Sequence, residues 1–209
     1  MPPAAGSSRD DLVLEPAAAR TLLNEPVVVE EKLDGANVML WRADDGLQAA
    51  TRAGGGAIDR AGQLGPLRRW AGDRVASLMP VVERGWVIYA EWLWLSHSIA
   101  YSSLPQALVA IDLLSASGGF AAVDERDRVC AEAGLLTPPS QFRGMLHTRG
   151  QLDRLFAKSA FGNEAAEGLI VRPDPPRPGP RLAKVLAPGF ARRSDDSWST
   201  ARERNTVAR

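Results

Sequence analysis

Residues 27–37 read VVVEEKLDGAN. The three valines favour a buried strand, because β-branched side chains suit a pleated sheet. We predict a strand from Val27 to Leu33, and Asp34-Gly35 is a pair typical of the turn that ends one. Lys32 therefore stands at the end of a predicted strand.

Lysine is rare in this chain, which makes Lys32 informative. Only three of the 25 basic residues are lysine, namely Lys32, Lys158 and Lys184, and the other 22 are arginine. Coding bias alone accounts for such a ratio, but lysine is also kept where a primary amine is required, since guanidinium holds its proton near neutral pH. Lys158 lies on a predicted amphipathic helix and is expected at the surface.

The rest of the chain mixes strand and helix patterns. Strand patterns continue after Lys32 at Asn37–Arg42, Leu47–Arg52, Trp86–Trp92, Ala107–Leu114, Gly168–Val171 and Arg181–Leu186, with a proline-rich hairpin before the last. Helix patterns cover a short segment that Asn24 and Pro26 end, a segment Leu64–Leu78 that Pro80 closes, and the segments Asp124–Ala133 and Thr148–Lys158. The sequence predicts the α+β class, with antiparallel sheets and flanking helices.

Length and composition limit the class of protein. The chain has 209 residues, 45% hydrophobic and 24% charged, which is typical of one globular domain. We expect a loose arm over residues 1–10, one domain over residues 11–190 and a polar, arginine-containing tail over residues 191–209. A single cysteine excludes an internal disulfide and a cysteine-rich zinc module, and two histidines exclude a histidine-rich metal site.

The first residues, the longest uncharged run and the net charge bear on the compartment and the partners of the protein. The first residues lack a secretory signal pattern, and the longest uncharged run carries serines, a histidine and a proline, so we expect a cytoplasmic protein without a membrane segment. The formal net charge is zero. Any nucleic-acid contact must therefore use local basic clusters.

Four charged residues lie within or beside apolar strand patterns: Lys32, Glu91, Glu167 and Lys184. A buried charge is expensive unless it is paired, so the four together suggest strands that line one polar groove. Ordinary structural ion pairs are the alternative for any one of them.

The order of the short motifs resembles a known family. The motifs run from Glu30-Glu31-Lys32-Leu33-Asp34-Gly35-Ala36-Asn37 through Arg52, Tyr89-Ala90-Glu91-Trp92, Ile111-Asp112-Leu113-Leu114 and Glu167-Gly168-Leu169-Ile170-Val171-Arg172 to Lys184-Val185. This series, over about residues 27–188, is similar to the ATP-dependent RNA ligases within the covalent nucleotidyltransferase superfamily of ligases and capping enzymes. DNA ligases and capping enzymes resemble it less.

The resemblance implies a nucleotidyltransferase (ATP-grasp-like) core, a lysyl-AMP intermediate, transfer of AMP to an RNA 5′-phosphate and joining to a 3′-hydroxyl. It implies ATP and Mg²⁺ or Mn²⁺ as cofactors, although the sequence does not exclude GTP. Lys32 would be the nucleophile, with Lys184 and Glu167 as the other catalytic groups and Glu167 as a metal ligand. Desolvation and the neighbouring Lys184 would favour the neutral amine of Lys32.

The same resemblance implies the residues around the nucleotide. Those expected to contact it or shape its pocket are Glu30, Glu31, Asp34, Gly35, Asn37, Arg52, Glu91 and Ile111. Ile111 stands where family members often carry an aromatic that stacks on the base. Weaker candidates for RNA phosphates are Arg68, Arg69 and Arg172.

Other interpretations stay open. A stand-alone DNA nick-sealing core is one, and a nucleotide-binding or RNA-binding repair subunit that needs a partner is another. Only 25 residues follow Lys184, too few for a C-terminal OB-fold, so we expect no such domain. Contacts to RNA, such as nicked duplex or tRNA-like ends, must then come from elsewhere, and a protein partner is one candidate source. His97 is more typical of a structural histidine than of a catalyst, and Tyr101 is ambiguous.

Overall fold

The valine-rich run forms the first strand of the protein. In a computed structural model that describes residues 15–51, 62–177, 181–190 and 203–208, strand β1 covers Val27–Lys32. Its first five residues are buried, and only Lys32 is partly exposed. Because the strand is buried on both faces, its sequence does not alternate between apolar and polar residues. The two glutamates inside it must then find buried partners.

The remaining strands, except β6, agree closely with the sequence patterns. They are β2 (Ala36–Ala43), β3 (Gly46–Thr51), β4 (Val87–Trp92), β5 (Leu108–Leu114), β6 (Ser140–Gly144), β7 (Gly168–Pro173) and β8 (Ala183–Leu186). The helices are α1 (Pro16–Leu23), α2 (Leu64–Gly72), α3 (Val75–Glu83), α4 (Val123–Glu132) and α5 (Arg149–Asp153).

Two antiparallel sheets build the fold. The first sheet has the strand order β6-β1-β7-β8, and the second has the order β3-β2-β4-β5. A buried cluster under the first sheet includes Leu22 of α1 and Leu152 of α5, and a larger cluster joins the second sheet to α2, α3 and α4. The α+β class with antiparallel sheets and flanking helices is confirmed.

The turn after Lys32 carries the chain from the first sheet to the second. Gly35 in this turn approaches β4 so closely that a Cβ atom would lie 2.6 Å from Leu93 Cδ2 and 2.8 Å from the Trp92 carbonyl oxygen. A larger residue would push the two apart. The glycine therefore lets the end of β1 and the end of β4 meet.

Two helix predictions were wrong. The predicted single helix over 64–78 is two helices, and Pro80 lies inside α3 instead of closing it. Pro80 is on the exposed side of α3, where water can bind the carbonyl that loses its backbone partner. The helix predicted over 148–158 ends at Asp153, because Lys158 forms a β-bridge with Ala165 instead.

Strand β6 was missed by the sequence analysis. It is short, it follows Pro138-Pro139, and its pairing with β1 is interrupted by an irregularity between Val29 and Glu30. Among the described residues, no helix has the length and apolar character needed to cross a bilayer. The predicted arm, residues 1–10, and most of the predicted tail lie outside the described residues.

Candidate active site

A groove of about 530 Å³ opens between the two sheets. Residues from six of the eight described strands line it, so it depends on both sheets being in place. The lining includes Lys32 from β1, Asn37 from β2, Tyr89 and Glu91 from β4, Ile111 from β5, Ile170 from β7 and Lys184 from β8. A mixed polar and apolar concavity of this size suits a nucleotide-sized ligand.

Sheet register brings Lys32 and Glu167 together. Lys32 lies opposite Gly168 in the β1–β7 pair, which sets the preceding residue, Glu167, beside the end of β1. The Lys32 Nζ atom lies 2.5 Å from Glu167 Oε2, and the two side chains are 13% and 1% exposed. An amine and a carboxylate so deeply placed form a strong charge-assisted contact.

Gly168 makes this arrangement possible. A Cβ atom on Gly168 would lie 2.1 Å from the Val185 carbonyl oxygen in the neighbouring strand β8. Since real Cβ atoms do not approach so closely, only glycine allows β7 and β8 to pair at this register. The strand that carries Lys184 is thereby held next to the strand that follows Glu167.

Glu91 reaches the same place from the second sheet. Its Oε1 accepts a hydrogen bond from the Gly35 N–H at 3.0 Å, and it lies opposite Asn37 in the β2–β4 pair. The pKa of Glu91 is raised to about 7, mainly by burial and also by the nearby Glu167 carboxylate, against the opposing effects of Lys32, Gly35 and Asn37. Glu91 is therefore close to half protonated at neutral pH.

Asp34 is bound by backbone groups and holds the turn after Lys32. Its Oδ2 accepts hydrogen bonds from the N–H groups of Ser98 at 2.5 Å and Ile99 at 3.0 Å. Its own N–H donates to the Tyr101 hydroxyl at 2.8 Å. These three bonds fix the turn to the loop that follows β4.

A buried charge network lies at the other end of the groove. The Glu30 carboxylate pairs with the guanidinium groups of Arg126 and Arg172, the latter at 2.7 Å. Arg172 also donates to Asp112 at 2.9 Å, and the half-exposed Arg181 donates to the other Asp112 oxygen at 2.6 Å. The buried charges therefore satisfy one another, as buried ions must.

This network also fixes the Ile111 backbone. The Ile111 carbonyl oxygen accepts hydrogen bonds from Arg126 at 3.0 Å and Arg172 at 3.2 Å. Ile111 lies at an irregularity in the β4–β5 pairing, between the residues that face Tyr89 and Ala90. Two arginines thus replace the strand partner that an irregularity removes.

Glu31 contacts the loop that follows α5, away from the charge network of Glu30. Its carboxylate accepts hydrogen bonds from the Ser159 hydroxyl at 2.5 Å and the Ala160 N–H at 2.9 Å. Burial raises the pKa of Glu31, and these two bonds oppose the rise. Its side chain therefore joins the end of β1 to this loop.

The other predicted site residues are spread more widely. Lys184 is exposed and lines the groove. Arg68 and Arg69 are exposed on α2, and Arg68 borders a separate cavity with Leu47 and Gln48 of β3. Arg172 is buried against Glu30 and Asp112, so its guanidinium is engaged by protein carboxylates. Arg52 lies outside the described residues.

Two carboxylates could hold a divalent cation. Among the described residues, no three His, Cys, Asp or Glu side chains are grouped as a metal site. Mg²⁺ is commonly held by one or two carboxylates, with water and substrate phosphates completing its shell. Glu91 lines the groove, and the buried Glu167 lies against Lys32 and close enough to Glu91 for their charges to interact, so both carboxylates suit that kind of binding.

Sequence reasoning missed Arg126 and Arg181. Arg126 lies in the charged stretch DERDR, which reads as a solvated helix face, yet its side chain is 2% exposed. Arg181 follows a proline-rich segment and has no local pattern. Its guanidinium lies 3.9 Å from the Phe120 ring centroid, at the edge of the groove. Only the tertiary contacts identify either residue.

The chain matches one family model and a group of solved structures. A family model described as RNA ligase matches residues 25–186. No curated protein matches the sequence. Among solved structures, similar ones include Naegleria gruberi RNA ligase with PPi, with 16% identity, a TM-score of 0.54 and coverage of 81% of this chain and 51% of that one.

Mutants of the same Naegleria gruberi enzyme are similar to the chain as well. One with AMP and Mn has 15% identity, and one with ATP and Mn has 14% identity. Both have a TM-score of 0.53 and match 80% of this chain and 51% of the other. The chain thus spans about half the length of the solved relatives that it matches, and the likeness concerns the fold.

Proposed function

The chain belongs to the RNA ligase family, and from that premise we propose that it is an ATP-dependent RNA ligase with Lys32 as its nucleophile. The observation that carries the proposal is the position of Lys32. Its amine lies at the edge of a nucleotide-sized groove, against the buried Glu167. The ligands of the solved relatives, namely ATP, AMP, PPi and Mn, agree with this chemistry.

The first step would be self-adenylylation. Lys32 must give up a proton before its nitrogen can attack, and Glu167 Oε2 at 2.5 Å is a hydrogen-bonded acceptor. The neutral nitrogen forms a bond to the α-phosphorus of ATP, the bond from that phosphorus to the bridging oxygen breaks, and pyrophosphate leaves. The product is lysyl-AMP.

Other groove residues would bind the nucleotide and stabilise charge. Lys184 supplies a cation toward the phosphates, and Glu91, close to half protonated at neutral pH, can donate to or accept from a ribose hydroxyl. Ile111 and Ile170 offer apolar surface to the base. Glu167 would hold Mg²⁺ or Mn²⁺, which would neutralise phosphate charge when bound. We extend the nucleotide-binding role to Arg52 from its motif alone.

Two transfers to RNA would complete the reaction. An oxygen of an RNA 5′-phosphate attacks the phosphorus of lysyl-AMP, which frees Lys32 and leaves AMP joined to the RNA through a pyrophosphate bond. A 3′-hydroxyl then attacks the RNA 5′-phosphorus, forming the phosphodiester and releasing AMP. The net charge of the chain is zero, so we expect RNA contacts to be local to the groove rim.

The decisive experiment is adduct formation with labelled nucleotide. Purified protein is incubated with α-labelled ATP or GTP and Mg²⁺, then separated on a denaturing gel. We expect a labelled band with ATP that Lys32→Ala abolishes and that Lys158→Ala, an exposed lysine outside the groove, leaves unchanged. An adduct that persists in Lys32→Ala would refute the assignment of the nucleophile.

Substrate class is tested next with pre-adenylated nicks. Sealing of an RNA nick but not of the matching DNA nick is expected. Preference for the DNA nick would instead favour a DNA ligase core. Failure to seal either nick despite a Lys32-dependent adduct would favour a subunit that requires a partner.

A further inference from the structure

The last described residues, 203–208, run along the loop that follows β4. Backbone hydrogen bonds join Ser96 N–H to the Glu203 carbonyl at 2.9 Å and Thr206 N–H to the Tyr101 carbonyl at 2.9 Å. Val207 packs against two of the buried clusters, one of which contains Leu33 of the nucleophile turn. This segment is therefore an integral part of the domain.

Asn205 makes the most specific contacts of the segment. Its side chain is buried, its Oδ1 accepts from the Tyr101 N–H at 2.8 Å, and its Nδ2 donates to the Leu93 carbonyl at 2.9 Å. The side-chain amide of Asn205 therefore joins the two ends of the loop Leu93–Tyr101 by hydrogen bonds, and this loop has little regular structure of its own. A side chain with both a donor and an acceptor is needed for such a tie.

The tied loop holds the nucleophile turn. Three of its groups bond to Asp34, two residues after Lys32: the Ser98 and Ile99 N–H groups on the carboxylate and the Tyr101 hydroxyl on the Asp34 N–H. Leu93, at the other end of the tie, packs against Gly35. A change at Asn205 can thus reach Lys32 through one loop and one turn.

We propose that Asn205 is a positioning residue for Lys32, acting through Tyr101 and Asp34 in the reaction assigned under Proposed function. The two hydrogen bonds of Asn205 hold the ends of the loop together, and the loop then presents its three hydrogen-bonding groups to Asp34. Asp34 in turn fixes the direction in which the chain leaves β1 after Lys32. Without the hydrogen bonds of Asn205, the loop gains conformations that do not hold Asp34. The amine then spends less time aligned for attack on the α-phosphorus.

The first test measures the turn and needs no activity. Amide hydrogen exchange of Asp34 and Gly35 is followed by NMR in wild type and Asn205→Ala. We expect about tenfold faster exchange in Asn205→Ala, as loss of about one net hydrogen bond allows. Thr206→Ala, an exposed neighbour, and Leu152→Ala, which destabilises the separate buried cluster under the first sheet, should leave exchange at these amides near wild type. Unchanged exchange in Asn205→Ala would overturn the proposal.

The second test measures the rate of Lys32 adduct formation. Asn205→Ala should lower the single-turnover rate about tenfold while the KM for ATP changes less than about twofold, because alignment and not binding is lost. Leu152→Ala controls for a general loss of stability. A rise in the KM of Asn205→Ala as large as its loss of rate would mean that Asn205 is merely structural. A loss of rate in Leu152→Ala as large as that in Asn205→Ala would mean the same.

A double-mutant cycle with Tyr101→Phe decides the route. If Asn205 acts through Tyr101, the two losses of rate are less than additive, and full additivity would refute this route. The outcomes separate the two proposals. Lack of any wild-type adduct would count against the proposed ligase function, and the exchange measurement would still decide whether Asn205 positions the turn.

Discussion

Glu91 is the residue whose ionisation most directly links the groove to pH. Its pKa is about 7 in the folded protein and ordinarily near 4.5. Folding therefore favours the protonated acid, and the penalty for ionising Glu91 grows as pH rises from about 4.5 through about 7, after which it is complete. The folded state holds this carboxyl in a place where its negative charge is costly.

We therefore predict that Glu91→Gln removes a pH dependence of stability. The free energy of unfolding of the variant, relative to wild type, should rise between pH 5 and pH 8, by at most about 3 kcal/mol. Urea unfolding of nucleotide-free protein with a chelator present, at several pH values, measures this. A difference between the two proteins that stays constant with pH would contradict the assigned pKa.

Arg126 tests whether the buried charge network matters for stability. Replacing it leaves Glu30 short of one partner in the interior and removes a donor from Ile111. We predict that Arg126→Met lowers the free energy of unfolding by about 3–5 kcal/mol. Arg84→Met, which breaks an exposed pair with Glu132 at 3.1 Å, should cost less than about 1 kcal/mol. Similar small losses in both variants would show that the network contributes little.

At the scale of elements, β1 and β7 are the pair on which the site depends. Their antiparallel register places Lys32 opposite Gly168 and so beside Glu167, while β8 pairs on the other side of β7 and carries Lys184. The three catalytic candidates thus lie on, or directly before, three adjacent strands of one sheet. A shift of one residue in either pairing would turn these side chains to the opposite face.

Gly168→Ala should disturb that register. The added Cβ would overlap the Val185 carbonyl, so β8 must move away from β7. We predict a loss of about 2–3 kcal/mol in stability and a strong loss of Lys32 adduct. Gly72→Ala, at a helical glycine whose Cβ would meet nothing within 4 Å, is the matched control and should be neutral or slightly stabilising. Wild-type adduct formation in Gly168→Ala would contradict this account of β8.

The elements also show where local patterns are overruled. The strands other than β6 were predicted to within a few residues, because alternation and β-branched runs reflect burial of each strand. The position of Pro80 inside α3 was not predicted, because sequence rules treat a proline as the end of a helix, whereas the exposed side of a helix tolerates it. Strand β6 has no pattern of its own, and its pairing with β1 creates it.

On the scale of the whole molecule, the groove joins the two sheets, and a bound nucleotide would contact both. Ligands that bind only the folded state stabilise it, by about 2.7 kcal/mol at a hundred times Kd. We predict that a non-hydrolysable ATP analogue at such concentrations raises the Tm by about 5–10 °C. Lys184→Ala should reduce the shift, whereas Arg154→Ala, an exposed residue beyond α5, should not. Identical shifts in all three proteins would place the nucleotide elsewhere.

The sequence alone determined the class of fold and most strands and singled out Lys32 as the candidate nucleophile, because these inferences rest on local patterns. Alternation and β-branched runs are read within six or seven residues, and only three lysines compete for a role that arginine cannot fill. The motif order added Glu91 and Lys184, which line one groove with Lys32, and Glu167, which lies against the Lys32 amine.

Tertiary structure decided which charges meet. Arg172, expected to face RNA, pairs with Glu30 142 residues away in sequence, and Asn205 bonds to Tyr101 and Leu93 over 104 and 112 residues. Arg126, in a stretch that reads as solvated, is buried against Glu30. Partners so distant are set by strand register and by the packing of one segment on another, and no pattern within a short stretch of sequence encodes either.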